Sequence, residues 1–187
     1  MAPRSSGHAQ EDLRLVGGRV VLRPARPEDA DALAQGFADD PTMGAMLGME
    51  PHEENAEWLR STFPQEGQSG EERKAYWFVI AHPESGEPIG EIGLIGISRP
   101  NRRAGLSILV LPGSRRSGVG REAIELLVGW GQGELGLHRI ELRTLPENAP
   151  MQALAEACGF TREGVLRDCA VERGRFVDNV VYARLPE

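Results

Sequence analysis

Leu106-Ser-Ile-Leu-Val-Leu111, Pro112-Gly-Ser114, Arg115-Arg116-Ser117-Gly118-Val119-Gly120 and Arg121 to Trp130 follow one another without a break. The first piece is apolar and strand-like. The last has helical spacing, with Val119, Ala123, Ile124, Leu127 and Val128 on one broad face. Between them, a glycine-rich turn feeds a helix start. Backbone N–H groups at such a junction point outward and favour an anion, above all a phosphate. Gly118 lets the backbone approach a pyrophosphate, and Gly120 permits close contact without a Cβ. Ser117 can cap the helix or donate to phosphate. Arg115 and Arg116 can add charge-assisted bonds. The plain alternative is an ordinary strand-to-helix turn.

Two common phosphate motifs are excluded. Gly-x-x-x-x-Gly-Lys-Ser/Thr does not occur. The turn does not continue as Gly-x-Gly-x-x-Gly, since Gly118-Val-Gly120 is followed by Arg-Glu-Ala123, and Gly131-Gln-Gly133-Glu-Leu-Gly136 ends a helical pattern where the fingerprint would open one. What remains is Arg-x-x-Gly-x-Gly.

Working outward, Arg19 to Ala25 reads as a strand stopped by prolines, and Glu28 to Phe37 as a helix with acidic residues in its first turn. Pro41 to Pro51 is irregular and rich in methionine and glycine, and helix resumes near Glu53. Strands are expected at Ala75 to Ala81, Ile89 to Ile97, Ala104 to Leu111 and Leu137 to Leu145. A short helix runs from Pro146–Pro150 to Cys158, with Gly159 as a left-handed cap. Phe160 to Cys169 and Phe176 to Leu185 close the chain as two more strands. The fold class is α/β, with a mixed sheet of six to seven strands. Residues 1–18 read as a flexible tail and lead-in, and residues 19–187 as one domain.

Composition narrows the partners. The 187 residues carry a net charge of −7, which disfavours broad binding to nucleic acid and permits a cationic substrate. No run of 18 apolar residues suggests a membrane span, and the polar start lacks a signal peptide's apolar core. Cys158 and Cys169 make neither a disulfide framework nor a metal cluster, and the histidines are scattered. Free thiols in a cytoplasmic protein are the simplest expectation, with a single disulfide left open.

At this point a resemblance becomes specific. Leu109-Val-Leu-Pro-Gly-Ser-Arg-Arg-Ser-Gly-Val-Gly-Arg-Glu-Ala123 resembles the acetyl-CoA motif of the GNAT acyltransferase superfamily. Leu22-Arg-Pro-Ala-Arg-Pro-Glu-Asp29, Leu135-Gly-Leu-His-Arg-Ile-Glu-Leu142, Asn148, Cys158-Gly-Phe160, Glu163-Gly-Val-Leu-Arg167 and Asp178 look like its RimJ/RimL-like branch of ribosomal-protein N-terminal acetyltransferases. The resemblance spans about residues 19 to 186. It implies a mostly antiparallel sheet, flanked by helices and splayed where acetyl-CoA enters. Pantetheine would pair with the backbone of Leu109, Val110 and Leu111. Residues Arg115, Arg116, Ser117, Gly118, Val119, Gly120 and Arg121 would hold the pyrophosphate. Asn148 and Met151 would border the cofactor arm, helix capping being the alternative for Asn148. A homodimer is compatible with the resemblance.

Acetyl transfer to an amine needs a neutral amine, a polarised carbonyl and a departing thiolate. The backbone N–H near Val110 is the candidate oxyanion donor. Glu91 is the candidate general base. Period-2 alternation puts it on a face with Ile89, Gly93, Ile95 and Ile97, where a carboxylate needs a reason. Gly90 and Gly93 would leave space beside it; the alternative is a solvated edge glutamate.

Three departures from the resemblance stand out. Ala155 falls seven residues past Asn148, where relatives often place an acidic tyrosine. Met151 stands where the branch commonly has serine, and Gly105 where relatives usually have glutamate.

The acceptor pocket is expected to draw on Met43, Met46, Met49, Glu53, Glu54 and Trp58, with Asp178 at its border. The alternative for these is core packing and a solvated helix face. The acceptor itself is expected to be a small-molecule amine or a protein N-terminus. Two other functions stay open. One is transfer of a larger acyl group such as succinyl, with Arg102 or Arg103 supplying a cation. The other is a noncatalytic acyl-CoA-binding domain.

Overall fold

In the computed structural model, residues 13–38, 74–172 and 174–186 are described. The first strand, β1 (Leu15–Val16), turns through Gly17-Gly18 onto β2 (Val21–Arg23). Helix α1 (Pro27–Ala38) follows. β3 (Tyr76–Ala81), β4 (Pro88–Ser98) and β5 (Arg103–Val110) form an antiparallel meander. A 3-10 turn, Pro112–Ser114, leads to α2 (Val119–Gly133). Then come β6 (Arg139–Thr144), α3 (Ala149–Ala157), and a long hairpin of β7 (Thr161–Glu172) and β8 (Arg175–Arg184). All the strands join one sheet, in the order β1-β2-β3-β4-β5-β6-β8-β7.

The sheet has eight strands where the sequence suggests six or seven. The additional strand is β1, two residues long and inside the expected lead-in. So short a segment carries no periodicity to read.

Alternation of side chains divides the core between the two faces. Phe78, Ile80, Ile92, Leu94 and Leu106 pack with Ala123, Ile124, Leu127 and Val128 of α2. Trp130 closes this layer, meeting Tyr76 and Phe78 edge-on at ring separations of 5.0 and 5.7 Å. Val79, Ala81 and Leu109 point the other way, against Ala30 and Leu33 of α1. Each such buried aliphatic side chain contributes about 1.5–3 kcal/mol relative to exposure.

A buried ion pair ties α1 to the sheet. Arg23 Nη1 and Nη2 each donate to a carboxylate oxygen of Asp29, both at 2.7 Å. Asp29 also accepts from the Arg26 N–H at 2.7 Å, and Arg23 reaches the Gly86 carbonyl at 3.0 Å. The Leu22-Arg-Pro segment thus joins strand end, helix start and the β3–β4 turn.

The feature that positions the site is the parallel β5–β6 pair. Its ladder runs from Arg103↔Arg139 to Leu106↔Leu142 and stops. Beyond that point β5 continues on β4 as far as Gly90↔Val110, and β6 continues on β8 as far as Thr144↔Val180. Each strand keeps its outer partner while their inner edges separate.

Candidate functional site

The separated edges enclose a cleft of about 140 Å³. Leu106, Ile108, Leu142 and Thr144 line it from the α2 and α3 side, together with Asn148 and Met151. Ser107, Leu109, Arg143 and Asn179 alternate to the opposite face. The cleft is therefore a passage through the sheet, not a groove on one side of it.

The turn expected to bind phosphate lies beyond the open end of β5. Arg116 and Gly118 adopt left-handed backbone conformations, with φ of 60° and 87°. Gly118 is the N-cap of α2, and the first helical bond runs from the Glu122 N–H to the Gly118 carbonyl at 3.1 Å. The N–H groups of Val119, Gly120 and Arg121 thus precede the helical ladder and have no partner within it. Gly120 packs closely: a Cβ there would come within 3.2 Å of the Leu154 side chain on α3.

Individual side chains of the turn are more committed than the sequence suggests. Arg115 Nε donates to the Val110 carbonyl at 2.8 Å, anchoring the turn to the end of β5. Ser117 Oγ donates to the Ser114 carbonyl at 2.6 Å, so its hydroxyl closes the turn. The Val119 side chain is core, and Arg121 Nε is paired with Glu125 at 2.8 Å. These two residues offer backbone N–H groups to a ligand. Arg116 is exposed. Leu111 departs from its expected place. Its N–H donates to Ile89, its carbonyl accepts from Ser114, and its side chain lies where a Cβ on Gly36 would sit, 2.6 Å away. It braces β4 and α1, whereas Leu109 lines the cleft.

Asn148 is a helix cap and also lies at the cleft. Its Oδ1 accepts from the Met151 N–H at 3.1 Å at the start of α3, and Met151 lines the cleft with it. Neither tyrosine takes a place in the cleft. Tyr76 packs on Trp130, and the Tyr182 hydroxyl bonds Gln152 and Glu156 at 3.3 and 3.2 Å.

Glu91 is fully buried, and neither carboxylate oxygen has a hydrogen-bond partner among the described residues. Its cross-strand neighbours are Val79 and Leu109, so it faces the α1 side of the sheet. Burial alone pushes its carboxyl up from the ordinary 4.5 to about 7. Such a group holds a proton loosely at neutral pH.

The surroundings of Glu91 correct two expectations. Ile89 and Ile97 pack with the α2 cluster, because ladder irregularities near both ends of β4 break the alternation. The glycines leave no open space either. A Cβ on Gly93 would meet the Trp77 ring at 2.6 Å, and one on Gly90 would meet the Leu109 carbonyl oxygen at 2.4 Å.

Other candidates fall elsewhere. Asp178 accepts from the Asp168 N–H at 2.9 Å and holds a bulge in β7 where Asp168 has φ of 50°; its neighbour Asn179 reaches the cleft. Arg102 and Arg103 lie at the closed end of the β5–β6 pair, with Arg102 Nε on the Gly136 carbonyl. Seven residues of strand, about 23 Å, separate Arg103 from Val110. Met43, Met46, Met49, Glu53, Glu54 and Trp58 lie outside the described residues. Cys158 is buried and Cys169 exposed, both as free thiols. Among the described residues there is no cluster able to hold a metal, and no helix long and apolar enough to cross a membrane.

The sequence reading did not single out Ser107, Arg143, Thr144 or Asn179. They come from three strands and meet only through the sheet order; Arg143 and Thr144 end their strand, but Ser107 and Asn179 lie within theirs and carried no local signal.

Comparison with known proteins agrees with this geometry. The family model for the acetyltransferase (GNAT) domain matches residues 19–161. The uncharacterized N-acetyltransferase p20 of Bacillus licheniformis is 30% identical over 167 residues, covering 89% of this chain and 93% of p20. The crystal structure of a probable GNAT-family acetyltransferase from Chromobacterium violaceum superposes with a TM-score of 0.82 at 28% identity, covering 99% and 96% of the two chains. The spermidine N-acetyltransferase of Vibrio cholerae, solved with CoA and spermine, shares the fold at 24% identity and a TM-score of 0.74, covering 90% and 96%. The chain belongs to the GNAT acetyltransferase family.

Proposed function

We propose that the protein transfers an acetyl group from acetyl-CoA to a primary amine by direct attack in a ternary complex. The observation that carries this reading is the passage between β5 and β6. It has the N–H-rich turn beyond one end and a buried, unpartnered carboxylate next to its wall on the α1 side.

The residues present fit a coenzyme A thioester. Gly118, at a φ that side chains rarely adopt, leaves room for a diphosphate against the first N–H groups of α2. The inner edge of β5 beyond Leu106 has no β6 partner and offers backbone groups to pantetheine, as an added strand would find, although the Val110 carbonyl already accepts from Arg115. Asn148 and Met151 border the arm from α3. Bound acetyl-CoA supplies the thioester carbonyl: the amine nitrogen forms the C–N bond and the C–S bond breaks.

Glu91 takes the proton that the amine must lose. A carboxylate with a pKa of about 7 is ionised in useful amount at neutral pH and is still basic enough to accept the proton. The Leu111 N–H faces β4, so strand alternation turns the Val110 N–H toward the passage. There it stabilises the negative charge that develops on the carbonyl oxygen. With no tyrosine in the cleft, the departing thiolate would take its proton from water or from the attacking nitrogen, which still carries one proton too many after the C–N bond forms.

The acceptor enters from the α1 face, where Arg143 and Asn179 border the passage. It is a small-molecule amine or a protein N-terminus, the latter in keeping with the RimJ/RimL-like motifs. Met46, Glu53 and Trp58 are assigned to its binding, and a cytoplasmic location suits the coenzyme. The noncatalytic reading fits less well, because a decayed site has no use for a buried carboxylate without a hydrogen-bond partner among the described residues. The test is a thiol-release assay with acetyl-CoA across a panel of amines. Release that depends on both the amine and Glu91 supports the reading. CoA binding without release on any amine up to pH 9 contradicts it.

A further inference from the structure

Glu122 stands in the first turn of α2, where its charge would compete with a phosphate for the helix N–H groups. The structure turns the carboxylate aside. It accepts three backbone N–H bonds from the β1–β2 turn: Gly18 at 3.0 Å, Arg19 at 2.6 Å and Val20 at 3.0 Å. Gly17 makes this approach possible, since a Cβ there would come within 2.8 Å of Glu122 Cδ.

The docking has a consequence for the turn at Gly118. It carries the Arg19 side chain over Gly118, with Nε, Cδ and Cζ at 3.5, 3.6 and 3.9 Å from where a Cβ on Gly118 would lie. Arg19 is exposed. Its guanidinium has no carboxylate partner among the described residues, because the Glu122 bonds use only its backbone. A cation from the β1–β2 turn therefore stands beside the left-handed N-cap.

We infer that Arg19 is a further ligand of the cofactor diphosphate. It comes from a segment nearly a hundred residues away and adds a second cation to the one that Arg116 offers in the turn. The inference rests on the turn being the coenzyme A site. Glu122 acts as the positioning residue that delivers Arg19, which explains an acid at the start of an anion-binding helix.

Calorimetric binding of CoA and of 3′-dephospho-CoA to wild type, Arg19→Gln, Arg19→Lys and Gly118→Val tests it. Arg19→Gln should weaken both ligands about tenfold, the loss expected for one charge-assisted contact, and flatten the salt dependence. Arg19→Lys should fall between it and wild type, since it keeps the charge without the fork. Thermal melting of Arg19→Gln should match wild type, because the docking bonds are made by the backbone. Wild-type affinity in Arg19→Gln with impaired binding in Gly118→Val overturns the role of Arg19 alone. Unchanged binding in both variants overturns the turn as the coenzyme A site. A loss seen with CoA but not with 3′-dephospho-CoA overturns the assignment to the diphosphate.

Discussion

Glu91 pairs across the β4–β5 ladder with Leu109, and Leu109 forms one wall of the passage through the sheet. The buried carboxylate is therefore one strand away from the place where β5 loses its β6 partner. Its apolar neighbours, Val79, Leu109 and the α1 face, raise its affinity for a proton.

Replacing Glu91 with Gln should lower kcat by about 10²- to 10⁴-fold, the usual contribution of a positioned base. CoA affinity should stay within twofold of wild type. The kcat/KM profile of wild type should rise with pH through about 7, because the base must be ionised; the Gln variant should lose that limb. Steady-state kinetics from pH 5.5 to 9, with calorimetry for binding, check both parts.

Stability should carry the opposite pH signature. The folded chain releases the Glu91 proton near 7, the unfolded chain near 4.5. Between those values the folded state binds more protons, so stability falls as pH rises and levels off above about 7. The ceiling on this loss is about 3 kcal/mol, from the interval between the two values. Melting temperatures of wild type and Glu91→Gln between pH 5 and 8 should show the decline in wild type and its absence in the variant.

Gly90→Ala should damage catalysis with less effect on cofactor affinity. Its Cβ would meet the Leu109 carbonyl oxygen at 2.4 Å, and a backbone atom cannot step aside as a flexible side chain can. The shift would fall on the β4–β5 contact that sets Glu91 against the passage. Displacement of about 1 Å costs on the order of 10²-fold in rate. Comparing kcat with the CoA dissociation constant separates the two effects.

Asp29→Asn should destabilise the fold without touching the cleft. Both members of the Arg23–Asp29 pair are buried, and the substitution strands the Arg23 charge. The expected loss is about 3–5 kcal/mol. Urea unfolding measures it, and kinetics under native conditions should remain close to wild type.

The sequence was most legible where pattern and punctuation coincide. The strands at 76–81, 88–98 and 103–110 and the helix from Val119 follow from apolar runs broken by Pro and Gly. The Arg115–Gly120 turn was readable because it is made by consecutive residues between a strand and a helix. The other half of the site is assembled from separate strands. Asn179 and Arg143 become neighbours of Ser107 only through the order β5-β6-β8, which no local spacing encodes. Glycines misled as well. Gly93 and Gly90 suggested open space, but they are small because Trp77 and the Leu109 carbonyl occupy it. The link from Glu122 to Gly18 spans 104 residues through backbone donors, which leave no trace in side-chain chemistry.

The most direct measurement is mass spectrometry of an amine panel, small polyamines and N-terminal peptides included, incubated with acetyl-CoA and either wild type or Glu91→Gln, with free CoA thiol read in parallel. The passage and its carboxylate predict a product heavier by one acetyl group, matched mole for mole by released thiol. They also predict that the variant gives little of either while binding CoA normally. Equal product from wild type and variant would contradict the role of Glu91, and CoA bound without product on any amine would contradict acetyl transfer itself.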